Sequence, residues 1–250
     1  KGFAASILLL VLIIAFLPAN WSAQSQGEEA GGEIKVVSFN TLWWEPQENK
    51  MLEYLASLDA DVYLLQEAKN AGKDEEYIKR IFSNHSIAFG SDFVTVSRHG
   101  IIESREAKTR GFLKTTLSIN GKRVSVYNAH LNNPVFSHRG GGLVKDAFEL
   151  KKLQFDELEQ SVGRSACEII AGDFNTKPNS RLLDFLKTNF FQADKTRVGF
   201  HTSWISAIPL FLIDYVFYSK NIRADSYETA QTPFSDHNLI EATIILPKNC

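Results

Sequence analysis

The chain has 250 residues, 44% of them hydrophobic and 22% charged, a balance that excludes an intrinsically disordered protein. This length suffices for one large domain or two small ones, each with a buried core. The formal net charge of −2 excludes a polycation that coats nucleic acid along its whole surface.

The N-terminal residues differ from the rest of the chain. An apolar run over residues 3–17 follows Lys1 and ends at Pro18. Its length fits a signal-peptide core and falls short of the about 20 residues that a free-standing transmembrane helix needs. Trp21 would instead suit the membrane interface of an uncleaved anchor. We therefore expect residues 1–23 to be a signal peptide or an N-terminal membrane anchor, residues 24–32 a polar linker, and residues 33–248 one domain outside the cytoplasm.

Short β-branched runs alternate with helical patterns along this domain. In chain order the pattern predicts strand 34–39, helix 47–58, strand 62–65, helix 73–82, strands 87–89, 93–97, 112–119 and 123–128, helix 143–162, strand 168–171, helix 181–186, and strands 212–218, 223–228 and 238–246. Asn120-Gly121 is the residue pair that favours a tight hairpin turn between two of these strands. The many antiparallel neighbours predict a mixed α/β domain with two packed sheets and helices outside.

The two cysteines do not resemble a disulfide framework or a zinc knuckle. Cys167 opens an apolar run and is predicted to be a buried strand residue, while Cys250 is the last residue of the sequence. The chain therefore suits an oxidising compartment without depending on one.

Polar side chains recur where predicted strands end. Asn40, Glu67, His130, Asp173, Asn175, Asp236 and His237 each end or adjoin such a run, and Asp214 lies inside one. Taken singly, a strand-end Asp or Asn is usually a turn or cap residue, and a lone His is usually a core residue. An ionised Asp214 in an apolar strand needs a partner, however. Because strand ends of a packed sheet converge on one rim, the whole set predicts a hydrolytic metal site.

Six motifs carry a resemblance to a known family. They are Phe39-Asn40, Leu65-Gln66-Glu67, Asn128-Ala129-His130-Leu131, Gly172-Asp173-Phe174-Asn175, Ile213-Asp214-Tyr215-Val216 and Ser235-Asp236-His237-Asn238. In this order they resemble the endonuclease/exonuclease/phosphatase superfamily, over about residues 34–246. The resemblance implies a four-layer α/β/β/α sandwich of two mixed β-sheets with helices outside.

The resemblance also implies a metal side of the site. Glu67 would be the principal ligand of Mg²⁺, with Mn²⁺ as a possible substitute, because a hard carboxylate suits a hard ion. Asn40 and Asp236 would complete or orient the metal shell. Leu42 stands where abasic-site endonucleases carry an acidic residue, so one metal-shell carboxylate of that group is absent.

The remaining motif residues would carry the chemistry. Asp173 would position and deprotonate the attacking water, and Asn175 would hold that water or a phosphate oxygen. Asp214 would pair with His237 and support its positive charge beside the phosphate. His130 would bind a phosphate oxygen or protonate the leaving group, with in-line attack and inversion.

Residues outside these motifs are weaker candidates. Arg110 could hold a phosphate or could be a surface residue. Trp43 and Trp44 could stack on a base, contact lipid or pack the loop. Seven basic residues at positions 98–123 face only two acids, which fits attraction of a phosphate or a solvated strand face.

The function expected from these observations is Mg²⁺-dependent hydrolysis of a phosphate ester by a monomer. A nuclease or phosphodiesterase is favoured. A sphingomyelinase-like enzyme and an inositol- or sugar-phosphate phosphatase share the same core, so nucleic acid and phospholipid head groups are both candidate substrates. A catalytically silent binding module would show decay in at least one motif, and none has decayed. The N-terminal segment would provide membrane association if it is not cleaved.

Overall fold

The computed structural model of the chain describes residues 19–20, 30–44, 48–69, 71–134, 144–196, 199–200, 202–205 and 211–250. The predicted export segment and linker, residues 1–32, lie almost wholly outside the described residues. Among the helices that are described, none has the length and apolar character needed to span a membrane.

The strands are numbered along the chain. They are β1 (Ala19–Asn20), β2 (Ala30–Asn40), β3 (Val62–Gln66), β4 (Ser86–Phe89), β5 (Phe93–Ser97), β6 (Gly100–Glu106), β7 (Phe112–Ile119), β8 (Lys122–His130), β9 (Cys167–Asp173), β10 (Phe190–Gln192), β11 (Gly199–Phe200), β12 (Asp214–Ser219), β13 (Arg223–Ala230) and β14 (Leu239–Pro247). The α-helices are α1 (Glu48–Ser57), α2 (Glu75–Ile81), α3 (Val144–Ser161) and α4 (Asp184–Asn189).

Two six-stranded sheets form the centre of the molecule. One has the order β13-β14-β2-β3-β5-β4 and the other has the order β10-β12-β9-β8-β7-β6. In each sheet one central pair is parallel, β2 with β3 and β8 with β9, and the other neighbours are antiparallel. The carboxyl ends of these two parallel pairs therefore bring their terminal residues to the same rim.

Alternating side chains on the central strands build three apolar layers. Val36 packs between the sheets, whereas its neighbour Val37 packs outward against α1 and α2. In the second sheet Ile169 packs inward, and Ile170 packs outward against α3 and α4. Strands that bury both faces are predicted to be continuously apolar, as these are. The result is a four-layer α/β/β/α sandwich, which confirms the predicted fold class.

Gly172 allows the parallel strands β8 and β9 to approach closely just before the site. Its φ is +141°, and a Cβ at this position would lie 1.9 Å from the carbonyl oxygen of Ala129. A larger residue would therefore push apart the strand ends that carry His130 and Asp173.

The strand predictions miss four of the described strands, β1, β6, β10 and β11, and place several strand ends differently, since β2 for example begins at Ala30 instead of residue 34. The missed strands β1 and β11 are two residues long and pair with each other. The strands β6 and β10 lie at sheet edges, and β6 is largely exposed, so neither gives a strong apolar signal. The predicted strand 212–218 begins at Asp214 because the amides of Ile213 and Asp214 donate to Ser203 Oγ, 3.0 Å each, rather than to a strand neighbour.

Cys167 is a buried strand residue, as predicted, but the interpretation that the two cysteines form no disulfide was wrong. Cys167 and Cys250 form a disulfide across 83 residues of sequence, with their Cα atoms 5.3 Å apart. The bond ties residue 250 to the first residue of β9, the strand that ends at Asp173. Sequence spacing could not reveal it because only the tertiary fold brings the two thiols together.

Candidate active site

Neighbouring strand ends deliver the predicted residues to one place. Asn40 ends β2, and Glu67 follows β3 directly. In the second sheet His130 is paired in register with Asp173, and Asp173 is paired with Asp214. The side chains of His130, Asp173 and Asp214 therefore lie side by side at one end of the strands of this sheet. They face Asn40 and Glu67 of the other sheet.

Asn40 connects the two sheets at this site. Its Nδ2 lies 3.1 Å from both Glu67 Oε1 and Asp173 Oδ2, to which it donates. Its Oδ1 accepts from the amide of Leu42 at 3.1 Å, which fixes the orientation of the carboxamide. Asn40 thereby holds the two carboxyl groups close to each other.

The metal side of the site contains carboxylate oxygens without partners. Within the described residues, Glu67 Oε2 and Asp236 Oδ1 are buried and accept no hydrogen bond. The other Asp236 oxygen accepts from Trp204 Nε1 at 2.9 Å. Buried polar atoms are normally satisfied, and unpaired carboxylate oxygens are suitable ligands for Mg²⁺. The donor set thus fits a hard divalent cation.

Glu67 has an unfavourable backbone conformation, which supports a functional role for this residue. Its φ of 55° is in the left-handed region, which is unfavourable for a residue of this type. Such strain concentrates at functional sites, where surrounding contacts hold it. Here the hydrogen bond from Asn40 Nδ2 holds the Glu67 carboxylate in this conformation.

Asp214 and His237 form a buried pair. His237 Nδ1 donates to Asp214 Oδ2 at 2.9 Å, and its Nε2 lies 3.7 Å from Asp173 Oδ2. Burial alone would lower the pKa of His237, but the charges of Asp214 and Asp173 outweigh it and raise that pKa to about 10. His237 is therefore an imidazolium whose free edge faces Asp173. Ligand atoms of these three residues lie within 4.8 Å of one another, but their mutual contacts already engage them.

Asp173 is almost fully enclosed and accepts hydrogen bonds at both carboxylate oxygens. The Asn175 amide donates to its Oδ1 at 2.7 Å, and Asn175 Nδ2 donates to its Oδ2 at 2.9 Å. Burial raises the pKa of Asp173, and the charge of Asp214 adds to this effect. A carboxylate with a raised pKa is a stronger base toward water.

Asn175 is held by residues that the motif pattern does not include. Its φ is 48°, a conformation that Asn tolerates better than most residues. Asn133 Nδ2 donates to its Oδ1 at 2.6 Å, and Lys151 Nζ donates to its carbonyl oxygen. The side chain of Lys151 comes from α3 and is only 3% exposed.

Asp92 is a further residue of the site that sequence reasoning missed. It precedes β5, and His130 Nδ1 donates to its Oδ2 at 2.5 Å. Burial would lower the pKa of His130, but the hydrogen bond to Asp92 and the charge of Asp173 raise it. His130 Nε2 then points at the site, 3.6 Å from Glu67 Oε1. The signal was present, since Asp92 adjoins a strand like the other acids, although at the strand's start.

The weaker candidates lie outside this cluster. Arg110 is exposed on the turn before β7, and within the described residues its side chain forms no hydrogen bond or ion pair with a site residue. The basic residues Arg105, Lys108 and Lys114 line a groove against α3, where none of the eight motif residues lies. Trp43 is exposed three residues after Asn40.

Acids, amides and imidazoles gathered at the carboxyl ends of parallel strands in an α/β/β/α sandwich define a hydrolase of the phosphoesterase class. The chain belongs to the endonuclease/exonuclease/phosphatase family, whose family model matches residues 37–237. No curated protein matches the sequence.

Solved structures share the fold at low sequence identity. An endonuclease/exonuclease/phosphatase from Bacteroides vulgatus is 16% identical, with a TM-score of 0.67 over 86% of this chain and 99% of that one. D. rerio TDP2 in complex with a single-strand DNA product is 16% identical, with a TM-score of 0.66 over 85% of this chain and 99% of that one. The human Nocturnin catalytic domain with bound sulfate is 19% identical, with a TM-score of 0.64 over 85% and 94%. At these identities the likeness establishes the fold alone.

Proposed function

We propose that the domain is a divalent-metal-dependent phosphodiesterase, and within this class a nuclease, that cleaves a P–O bond by in-line attack of water. The position of Asp173 carries the proposal. Its carboxylate lies between Asn40 on the metal side and the imidazolium of His237 on the other. A phosphate bound there would meet a base and a cationic group at once, which is what hydrolysis of a charged ester needs.

Glu67 and Asp236 would hold the metal ion through their unpartnered oxygens, and Asn40 would keep Glu67 in place. Mg²⁺ is the ion that fits this oxygen-rich set best, with Mn²⁺ as a substitute. When bound, the ion would neutralise charge on the phosphoryl oxygens and polarise the ester.

The side chains of the chain itself would move the protons. Asp173 takes a proton from the water that Asn175 helps to orient. His237, kept cationic by Asp214, binds a phosphoryl oxygen and stabilises the added negative charge. His130, supported by Asp92, protonates the leaving oxygen. The phosphorus centre inverts because the water attacks directly, with no covalent enzyme intermediate.

The substrate class rests on two further observations. Membership of the family covers phosphodiesters and phosphomonoesters, and the structural neighbour TDP2 was solved with a DNA product. We therefore propose a nucleic acid substrate before a sphingomyelin-like lipid or an inositol or sugar phosphate. We propose further that the domain acts outside the cytoplasm, because a disulfide persists best in oxidising compartments. A monomer is proposed as the acting form. An uncleaved N-terminal segment would attach it to a membrane.

Hydrolysis of bis-p-nitrophenyl phosphate by the purified chain tests the reaction. We expect turnover with Mg²⁺ and a loss of about 100-fold or more in Asp173→Asn and in His237→Ala. Asp225→Asn is the matched control, since that exposed carboxylate lies on β13 away from the site. A substrate panel of single-stranded DNA, RNA, sphingomyelin vesicles and phosphoinositides then assigns the substrate. Activity that survives both site variants would refute the proposed site.

A further inference from the structure

Trp43 stands out at the rim of the site because it is both exposed and strained. Its side chain is 52% exposed, and Leu42 and Trp43 have φ values of 47° and 66°. Two consecutive left-handed non-glycine residues are unfavourable unless other contacts hold them. Here the Leu42 amide donates to Asn40 Oδ1 at 3.1 Å, and Thr41 donates twice to the carbonyl oxygen of Gln66, from its amide at 2.9 Å and its hydroxyl at 2.8 Å. The loop thus keeps an indole in solvent three residues from Asn40.

Lys69 covers one part of this indole. Its Nζ lies 4.2 Å from the centroid of the Trp43 ring and 3.8 Å from Asp92 Oδ1. Asp92 in turn accepts from His130, so the Trp43–Lys69 pair adjoins the residue expected to face the leaving group. A flat aromatic surface and a half-exposed ammonium group therefore lie side by side next to the site.

This pair suits a ligand that combines a neutral aromatic ring with a phosphate. A base can stack on an indole whatever its identity because every base has a π-face, and an ammonium group binds the adjoining phosphate. A choline head group fits poorly, since its quaternary ammonium would have to approach an indole that already carries the cation Lys69. Insertion of Trp43 into a bilayer would also require the Lys69 ammonium to lose water.

We propose that Trp43 and Lys69 form a subsite for an unpaired nucleotide next to the scissile phosphate. The indole stacks on the base, and Lys69 binds a phosphate oxygen. The subsite specifies single-stranded nucleic acid as the substrate class, because a base paired and stacked in a duplex does not offer its face to an indole. This inference rests on the proposed phosphodiesterase function of the same site.

Two substrates with equal phosphates but unequal bases test the subsite. One is a single-stranded oligodeoxythymidylate, and the other has the same length with tetrahydrofuran abasic residues. The measurement is kcat and KM with Mg²⁺ for the full chain and for Trp43→Ala, Trp43→Phe and Lys69→Gln. Thermal unfolding of each variant verifies that the fold is intact, which the exposure of both side chains favours.

We expect the unmodified chain to prefer the base-containing strand by about 10- to 100-fold in kcat/KM, mainly through KM. Trp43→Ala should bring this preference close to one, and Trp43→Phe should retain most of it. Lys69→Gln should weaken both substrates, because it removes a phosphate contact and not a base contact. Equal hydrolysis of both strands by the unmodified chain would overturn the subsite alone, whereas hydrolysis of neither strand nor of bis-p-nitrophenyl phosphate would overturn the proposed function.

Fluorescence provides a second readout that does not need turnover. The difference between the emission of the unmodified chain and of Trp43→Phe reports Trp43, and stacking should quench it when oligodeoxythymidylate is added with a chelator present. Quenching by sphingomyelin vesicles without quenching by the oligonucleotide would overturn the proposal in favour of lipid contact.

Discussion

The buried ammonium group of Lys151 leads to a prediction that the free energy of unfolding rises with pH. Lys151 donates to the carbonyl oxygen of Asn175, and within the described residues it forms no salt bridge. Desolvation lowers its pKa from 10.5 to about 8, and the charge of Asp173 offsets only part of this effect. One pKa unit corresponds to about 1.36 kcal/mol. This lowering of the pKa therefore means that the protonated Lys151 destabilises the folded state by about 3 kcal/mol at neutral pH.

The pH window follows from the two pKa values. Between about pH 8 and 10.5 the unfolded chain still binds the proton that the folded chain has released, so stability rises with pH in this range. Lys151→Met removes the group from both states. The free energy of unfolding of the unmodified chain, minus that of Lys151→Met, should therefore increase by about 2 to 3 kcal/mol from pH 7 to pH 10.

Urea unfolding followed by circular dichroism at several pH values measures this difference, and titrations common to both proteins cancel. Lys152→Met is the matched control, since Lys152 is the next residue on the same helix and its side chain is 62% exposed. Its difference curve should not rise. Parallel stability curves for the unmodified chain and Lys151→Met would refute the assignment of a desolvated ammonium group beside Asn175.

Three further substitutions test other parts of the structure. Asp214→Asn leaves the buried His237 without its carboxylate and should lower the free energy of unfolding by about 3 kcal/mol, together with a large loss of kcat. Asp92→Asn should lower kcat by about 100-fold for phosphodiesters with poor leaving groups and by less for nitrophenyl esters, because His130 would no longer be supported as the acid. Cys250→Ser opens a loop of 83 residues and should lower the free energy of unfolding by about 4 kcal/mol.

Each of these outcomes has a clear contrary result. Asp225→Asn, on an exposed part of β13, is the control for the aspartate variants and should match the unmodified chain in urea midpoint and kcat. Equal kcat losses of Asp92→Asn for good and poor leaving groups would exclude its role in leaving-group protonation. An unchanged urea midpoint of Cys250→Ser under oxidising conditions would exclude the disulfide.

Much of the fold could be read from the sequence because its central strands bury both faces. The apolar runs that contain Val36 and Ile169 identify β2 and β9, and the polar residue after each run marks the carboxyl end of the strand. The exposed edge strand β6 has no such pattern, since its residues pair on one side only and mostly face water. Edge position, and not propensity, explains why it was missed.

The site was predictable where its residues sit on strand ends and not where another element supplies them. Lys151 and Gln154 take core-facing positions of α3, with Phe155 and Leu158, while Phe148 stays 56% exposed. Helical spacing gives their common face, but only the fold shows that Lys151 on this face reaches Asn175. The partner of Cys167 lies 83 residues away for the same reason. Contacts between distant segments depend on how the elements pack in three dimensions. The pattern of apolar and polar residues within one segment does not show which other segment it will contact.

The central claim is that Glu67 holds a divalent cation that the reaction requires. The most direct measurement is the rate of bis-p-nitrophenyl phosphate hydrolysis as a function of Mg²⁺ concentration for the unmodified chain and for Glu67→Gln, with Glu103→Gln, 65% exposed, as the control. We predict that the rate rises with Mg²⁺ concentration to a plateau, that a chelator abolishes it, and that added Mg²⁺ or Mn²⁺ restores it. Glu67→Gln should require a Mg²⁺ concentration about 10-fold or more higher for half-maximal rate. Glu103→Gln should show the same Mg²⁺ dependence as the unmodified chain. Hydrolysis that is insensitive to the chelator, or a Glu67→Gln curve that overlays that of the unmodified chain, would contradict the claim.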